Sequence, residues 1–167
     1  MEFYKGKNFW KKGNEPVSEV EIMKAEKLLG VSLPISFLNL LRENNGGSLE
    51  FPYFFIGNSK ERYGLYELEG ICFDNSNMFF SQNIISEYEL PNNIILLEGD
   101  YHYWIAFDYR DKAIPSIIYL FEDYTEDEVK WDSVEIASDF DTFLTKLFQV
   151  PSLNPKKLKT TYSRPTK

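Results

Sequence analysis

The chain has 167 residues, 43% of them hydrophobic, which is enough material for one domain with a sizeable core. The formal charge is −8, but the segment after Leu153 carries five basic residues and no acidic one, which leaves −13 on the preceding residues. An acidic body disfavours direct binding of nucleic acid and suits a basic protein partner, although surplus acid also serves solubility alone. The single cysteine, Cys72, excludes an intramolecular disulfide and disfavours a cysteine-based metal cluster.

The first residues contain no apolar run typical of a signal sequence, and no segment approaches the length of a membrane span. We therefore expect a cytoplasmic protein without membrane contact.

Two helices are predicted near the start of the chain. Ser18 and Glu21 have the spacing of a capping box, and Gly30 is typical of a helix end. Pro34 fits the first turn of a second helix, which the Asn-Asn-Gly-Gly sequence at 44–47 terminates. These two segments predict a compact pair of helices joined by a short loop.

The next segments are less regular. Residues 49–55 predict a strand, in which Pro52 favours an edge position or a bend. Residues 63–73 predict a further strand interrupted by a Glu-Gly pair, and residues 75–90 predict a helix that ends before a proline.

The stretch 94–121 predicts an antiparallel meander, because three apolar runs are separated by short polar breaks. Its segment 103–108 mixes polar and apolar positions too weakly for a one-sided strand, so it should be central and buried on both faces. Residues 129–137 predict another strand, and Ser138 or Asp139 should cap a last helix. The apolar side of that helix would be formed by Phe140, Phe143, Leu144, Leu147 and Phe148.

The element order predicts an α+β single domain, with an antiparallel or mixed β-sheet flanked by helices that cover one of its faces. The order alternates too irregularly for a parallel βαβ series.

Few residues carry chemistry of their own. His102 is the only histidine, and Asp100 lies within reach of it for a general-base pair, but a lone strand histidine is more typical of a structural or surface residue. Cys72 lies in an apolar run typical of a core position. Asn45-Gly46-Gly47 lacks the lysine and hydroxyl residue of a phosphate loop. We expect no catalytic residue, no cofactor and no metal site.

Five acidic residues occur between Glu122 and Glu128, without the spacing of a calcium loop. They form either a solvated turn or part of a negative surface that binds a basic partner. Nearby tyrosine and tryptophan residues exceed what one core buries, and these side chains serve well as interface anchors. The predicted partner-binding residues are Glu98, Asp100, Tyr101, Tyr103, Glu122, Asp123, Tyr124, Glu126, Asp127 and Trp131.

Several motifs occur together along residues 9–148. A Leu-Pro pair ending at Pro34 precedes Asn45-Gly46-Gly47, and a Gly-Asp pair ending at Asp100 precedes Trp-Ile-Ala-Phe-Asp, which ends at Asp108. A closing Phe-x-x-Phe-Leu helix begins at Phe140. In this combination the chain resembles the SMI1/KNR4-like superfamily, also called SUKH.

The composition of residues 154–167 predicts a flexible basic tail, which leaves the SMI1/KNR4-like domain over residues 1–153. The resemblance implies a bacterial immunity protein without enzymatic activity, which neutralises a cognate polymorphic toxin, in many cases a nuclease or a deaminase. The acidic body favours a basic nuclease domain, whose active cleft the protein would block. The alternative, closer to the fungal relatives, is an intracellular scaffold or regulator of cell-wall synthesis that acts through protein contacts.

Overall fold

The computed structural model describes residues 1–73, 82–125 and 128–150. The described helices are α1 (Glu19–Leu29), α2 (Ile35–Glu43), α3 (Gln82–Glu87) and α4 (Phe140–Lys146). The described strands are β1 (Glu2–Phe3), β2 (Trp10–Gly13), β3 (Gly47–Leu49), β4 (Tyr53–Phe54), β5 (Tyr63–Gly64), β6 (Glu67–Leu68), β7 (Ile94–Asp100), β8 (Tyr103–Asp108), β9 (Ser116–Thr125), β10 (Glu128–Ala137) and β11 (Phe148–Gln149).

The strands form three antiparallel sheets, which confirms the α+β prediction. The largest has the order β10-β9-β8-β7, and the others have the orders β1-β11-β4-β5 and β2-β3-β6. In the largest sheet Asp108 pairs with Ile94 on one side and with Ser116 on the other. The predicted meander with β8 at its centre is therefore confirmed.

Helix α1 begins and ends where local sequence signals predict. The Ser18 hydroxyl accepts a hydrogen bond from the Glu21 N–H at 3.3 Å, and the Glu21 carboxylate accepts one from the Ser18 N–H at 2.9 Å. Gly30 follows the helix in the left-handed conformation with φ of 71°. Local hydrogen bonds thus satisfy backbone groups at both ends of the helix.

The Ser18 hydroxyl accepts from the Glu21 N–H, which has no partner within the helix. Because Ser18→Ala removes this acceptor, it should lower the free energy of unfolding by about 1 kcal/mol. The measurement is urea denaturation beside the control Ser86→Ala, an exposed position inside α3. An equal effect of the two substitutions would contradict a specific capping role.

The Asn45-Gly46-Gly47 motif is explained by packing. The Asn45 side chain donates to the Ile71 carbonyl at 2.8 Å and accepts from the Ile71 N–H at 2.7 Å. Gly47 has φ of 139°, and a Cβ there would lie 2.1 Å from the Lys12 carbonyl oxygen. The motif therefore joins α2 to two neighbouring chain segments at a separation that excludes a side chain.

Helices cover both faces of the four-stranded sheet, where the sequence predicted one. On one face the rings of Phe37 in α2 and Phe140 in α4 pack against Phe107, with centroids 5.1 and 5.6 Å away. On the other face Ile84 and Ile85 of α3 pack against a smaller cluster that includes buried Trp104. This arrangement explains why β8 lacks a one-sided pattern, since it is buried on both sides.

Three predicted elements are corrected. Residues 49–55 contain the last residue of β3 and the two-residue strand β4, separated by a break over 50–52, and residues 63–73 contain only the two-residue strands β5 and β6. Phe148 belongs to β11 and pairs with Tyr53, so α4 ends at Lys146. Pairing with distant strands overrides the helical spacing of the last apolar residues.

Of the predicted helix over 75–90, residues 75–81 lie outside the described residues, and α3 (Gln82–Glu87) forms most of the part that follows. Among the described residues, no helix combines the length and apolar composition that a membrane span requires.

Candidate partner-binding surface

Predicted partner-binding residues converge at one end of the four-stranded sheet. The β7–β8 turn at Tyr101 and His102 and the β9–β10 connection lie at this end, and the β8–β9 loop lies at the other. Glu126 and Asp127 are outside the described residues. The other eight predicted residues divide between two faces. Strand alternation and contacts place Glu98, Asp100, Tyr103 and Asp123 on one face, and Tyr101, Glu122, Tyr124 and Trp131 on the other.

Five tyrosines occupy the first of these faces, which we call the tyrosine face. They come from four separate parts of the chain: β4, β5 with the residue pair that follows it, β8 and β9. The members of the tyrosine face are Tyr53, Tyr63, Tyr66, Tyr103 and Tyr119.

The rings of the tyrosine face pack on one another. The Tyr119 centroid lies 5.1 Å from that of Tyr63 and 5.5 Å from that of Tyr103, and the Tyr53 and Tyr66 centroids are 5.8 Å apart. Four rings are half-buried, and Tyr66 is 51% exposed. Such packing holds large amphipathic side chains at the surface with little conformational freedom to lose on binding.

Burial raises the pKa values of three of these phenols. It is the largest cause that raises the pKa of Tyr119 to about 12, and it also raises the pKa values of Tyr66 and Tyr103. These three hydroxyl groups are neutral at physiological pH, and each is both a hydrogen-bond donor and an acceptor.

A glycine makes room for the most exposed ring. A Cβ at Gly64 would lie 2.3 Å from the Cε2 atom of Tyr66. The Tyr66 ring can therefore fold back over β5 only because residue 64 has no side chain.

Glu98 lies beside the tyrosine face, next to an irregularity in β7 where Leu96 pairs with Ala106 and Glu98 with Ile105. Its Oε2 atom is buried and has no hydrogen-bond partner among the described residues. Burial raises the pKa of Glu98 to about 7, although hydrogen bonds from the backbone of Glu67 and Tyr66 act in the opposite direction. A carboxyl group held in this way is a candidate for a functional role.

Further carboxylates surround the rings. One Asp100 oxygen accepts hydrogen bonds from the N–H groups of His102 at 2.9 Å and Tyr103 at 3.3 Å, which fixes the β7–β8 turn. The strand register places Asp132 beside Phe121 on the same face, and one pair further along Asp123 lies opposite Lys130. Three aspartates thus border the tyrosine face, together with one lysine.

The opposite face of this sheet end contains a small polar cluster. The Nδ1 atom of His102 lies 2.8 Å from a Glu122 carboxylate oxygen, which also accepts a hydrogen bond from the Tyr124 hydroxyl. The side chain of Glu122 is 15% exposed, whereas that of His102 is 74% exposed. The His102 imidazole therefore contacts the Glu122 carboxylate. The general-base pair of His102 with Asp100 that the sequence suggested is not formed, because the Asp100 carboxylate accepts from backbone N–H groups of the turn.

The hydrogen bond with Glu122 raises the pKa of His102 above its ordinary value. We expect Glu122→Gln to lower that pKa, because the imidazolium loses a charged acceptor. An NMR titration of the His102 ring measures the change. Asp123→Asn removes the same charge one residue away and should leave the pKa of His102 almost unaltered. Equal effects of the two substitutions would contradict a direct contact between His102 and Glu122.

Trp131 and Tyr101 connect this face to the end of α3. The Trp131 Nε1 group donates to the Tyr88 carbonyl at 2.6 Å, and the Tyr88 ring centroid lies 5.5 Å from that of Tyr101. Trp131 is half-buried, while Tyr101 is 65% and Tyr124 is 69% exposed. Trp131 thus has a structural contact, and the two tyrosines are the more available contact residues.

Within the described ranges, no group of three or more His, Cys, Asp and Glu side chains is arranged to hold a metal ion. Cys72 is half-buried, where the sequence predicted a core position.

Sequence reasoning did not select Tyr53, Tyr63, Tyr66 and Tyr119. Each lies in a segment that was predicted to be extended, although the structure divides the segments around Tyr53, Tyr63 and Tyr66 into shorter strands. The large number of tyrosines was the available signal. Their convergence depends on pairing between β4 and β5 and on packing of β6 against β7, which no local pattern shows.

The sequence model of the SMI1 / KNR4 family (SUKH-1) matches residues 16–146. Neither a curated protein nor a solved structure matches the chain. The matched range extends from the start of α1 to the end of α4 and includes the whole four-stranded sheet. Because the match covers well over half of the sequence, and because the fold agrees with it, this chain belongs to the SMI1 / KNR4 family (SUKH-1).

Proposed function

We propose that the chain is a non-enzymatic immunity protein that binds a cognate polymorphic toxin and blocks its active cleft. Membership of the SMI1 / KNR4 family (SUKH-1) is consistent with this role. The observation that carries the proposal is the tyrosine face with its acidic border, because packed tyrosines bordered by acidic side chains are suited to a basic protein partner.

The chemistry of this surface favours a basic toxin domain, and a nuclease is the class that we propose. A nuclease cleft carries positive charge that binds the phosphate backbone. Asp100, Asp123 and Asp132 would approach that charge, and the tyrosines would exclude water from the centre of the contact. Tyr101 and Tyr124 would contact the partner at the edge, along with Glu126 and Asp127. The domain of residues 1–153 would form this contact, with the basic tail of 154–167 outside it.

The acidic border should act mainly on the rate of association. Replacing Asp100, Asp123 and Asp132 together by asparagine should lower the association rate constant about 10-fold at low salt, with little change in dissociation, because steering is long-range. Surface plasmon resonance measures both rates. The control replaces Glu15, Glu43 and Asp141, exposed acidic residues outside this surface, by their amides. A larger effect on dissociation than on association would contradict steering.

Co-expression tests the function itself. The toxin domain, taken from a large secreted protein encoded beside the gene for this chain, is expressed in a susceptible strain with and without the chain. The proposal predicts growth only when the chain is present. If the strain dies in both cases, and if deletion of the gene causes a cell-wall phenotype in a strain without any toxin gene, the regulatory role replaces the immunity role.

A further inference from the structure

Glu98 is an acidic group for which the fold supplies no cation. Within the described ranges its Oε2 atom has no hydrogen-bond partner, and no lysine or arginine forms an ion pair with it. A buried carboxylate without a cation is unfavourable in the free protein, because the backbone hydrogen bonds from Tyr66 and Glu67 offset its desolvation only in part. Its presence beside a surface built of aromatic rings suggests that the compensating charge comes from outside.

The surroundings of Glu98 are those of a receptor for a cation. Tyr66 and Tyr103 both lie close enough for the Glu98 charge to raise their pKa values. Tyrosine rings attract cations to their faces, and the carboxylate adds a charged acceptor. The chain itself shows such a contact at the edge of the same face, where the Arg62 guanidinium carbon lies 5.5 Å from the Tyr53 ring centroid.

We propose that Glu98, Tyr66 and Tyr103 form a receptor for one arginine side chain of the protein partner. This inference rests on the proposed function and adds the residue type that the surface recognises. A guanidinium group fits better than an ammonium group, because its plane stacks on a ring while its edge donates to a carboxylate. Because Oε2 is buried, entry of the arginine requires a neighbouring side chain to move aside.

The strength of arginine binding should depend on pH, because the Glu98 carboxyl group must be ionised to attract the guanidinium group. The groups that face it are Tyr66 and Glu67 from the β5–β6 segment, Tyr103 from β8 and Asp100 from β7, with Tyr53 and Arg62 beyond them. Arginine should therefore bind more strongly at pH 8, where Glu98 is ionised, than at pH 6. The pKa of His102 is raised as well, so the profile is recorded in a His102→Gln background.

The test is an NMR titration of the full chain with N-acetyl-arginine amide, beside N-acetyl-citrulline amide as a neutral probe of nearly the same shape. We expect arginine to shift the amide signals of Tyr66, Glu67 and Tyr103, with at least fivefold tighter binding than citrulline at pH 8. Glu98→Gln should remove that preference, as should pH 6. Equal binding of both probes, or an arginine preference that survives Glu98→Gln, would overturn the proposal.

Two further results separate this proposal from its alternatives. If Arg164→Gln in the basic tail shifts the same three amide signals without any probe, the tail is the occupant and a partner arginine is excluded. If the toxin domain binds the chain but Glu98→Gln leaves its affinity unchanged, the immunity role stands and the receptor is wrong. An arginine preference at Glu98 without toxin binding would support the receptor and remove the immunity role.

Discussion

Glu98→Gln is expected to stabilise the free protein at alkaline pH. Burial raises the pKa of Glu98 from 4.5 to about 7, so the folded state binds this proton more tightly than the unfolded state. Stability therefore falls as the pH rises from 4.5 towards 7, and it stays reduced above that range. One pKa unit corresponds to about 1.4 kcal/mol, and partial exposure reduces the whole effect to about 2 kcal/mol.

The measurement is urea denaturation of wild type and variant at pH 5 and pH 8. The free energy of unfolding of Glu98→Gln minus that of wild type should be about 2 kcal/mol larger at pH 8 than at pH 5. Groups such as Asp108 and His102 titrate in both proteins, so their contributions cancel in the difference. Glu15→Gln, at an exposed position outside the tyrosine face, is the matched control. A variant with the same pH dependence as wild type would show that Glu98 is not held in an unfavourable environment.

Tyr66→Ala should weaken toxin binding about 30-fold, which corresponds to about 2 kcal/mol of binding free energy. The ring lies at the centre of the proposed contact, and its exposed half would become buried against the partner. Because that half contacts only solvent in the free protein, the free energy of unfolding should change much less than the binding free energy.

Isothermal titration calorimetry measures the affinity, and thermal denaturation of the variant verifies its fold. The control is Ile114→Ala, which removes a side chain that is also highly exposed, in the β8–β9 loop at the opposite end of the sheet. If the two substitutions weaken binding equally, the tyrosine face is not the centre of the contact. Tyr101→Ala and Tyr124→Ala should have intermediate effects, as expected for the edge of an interface.

Local signals predicted the elements that local physics determines. Ser18, Glu21 and Gly30 defined α1 because capping depends on residues within one turn of the helix. The central meander was predicted because its strands are long and apolar.

Prediction was wrong where distant segments decide the structure. Phe148 has the helical spacing of Phe140, but it lies in β11, where it pairs with Tyr53 and packs on Phe3 at 5.6 Å between ring centroids. These partners are about 95 and 145 residues away in the chain, so no window of sequence contains the contact. The short strands β5 and β6 were missed as separate elements for the same reason.

The candidate site was predicted in part. Glu98, Asp100 and Tyr103 were selected from sequence as partner-binding residues and lie on the tyrosine face, where their role stays a prediction. Glu122 was also selected, but its carboxylate is largely buried against His102 and Tyr124. Sequence shows which side chains are acidic or aromatic; the register decides which of them face outward together.

The most direct test of the immunity role is calorimetric titration of the chain with the C-terminal domain of the large secreted protein encoded beside its gene, at low and high salt. The immunity role predicts nanomolar binding that weakens as the salt concentration rises, together with loss of the toxin domain's activity in the complex. Absence of binding between two folded proteins would contradict it.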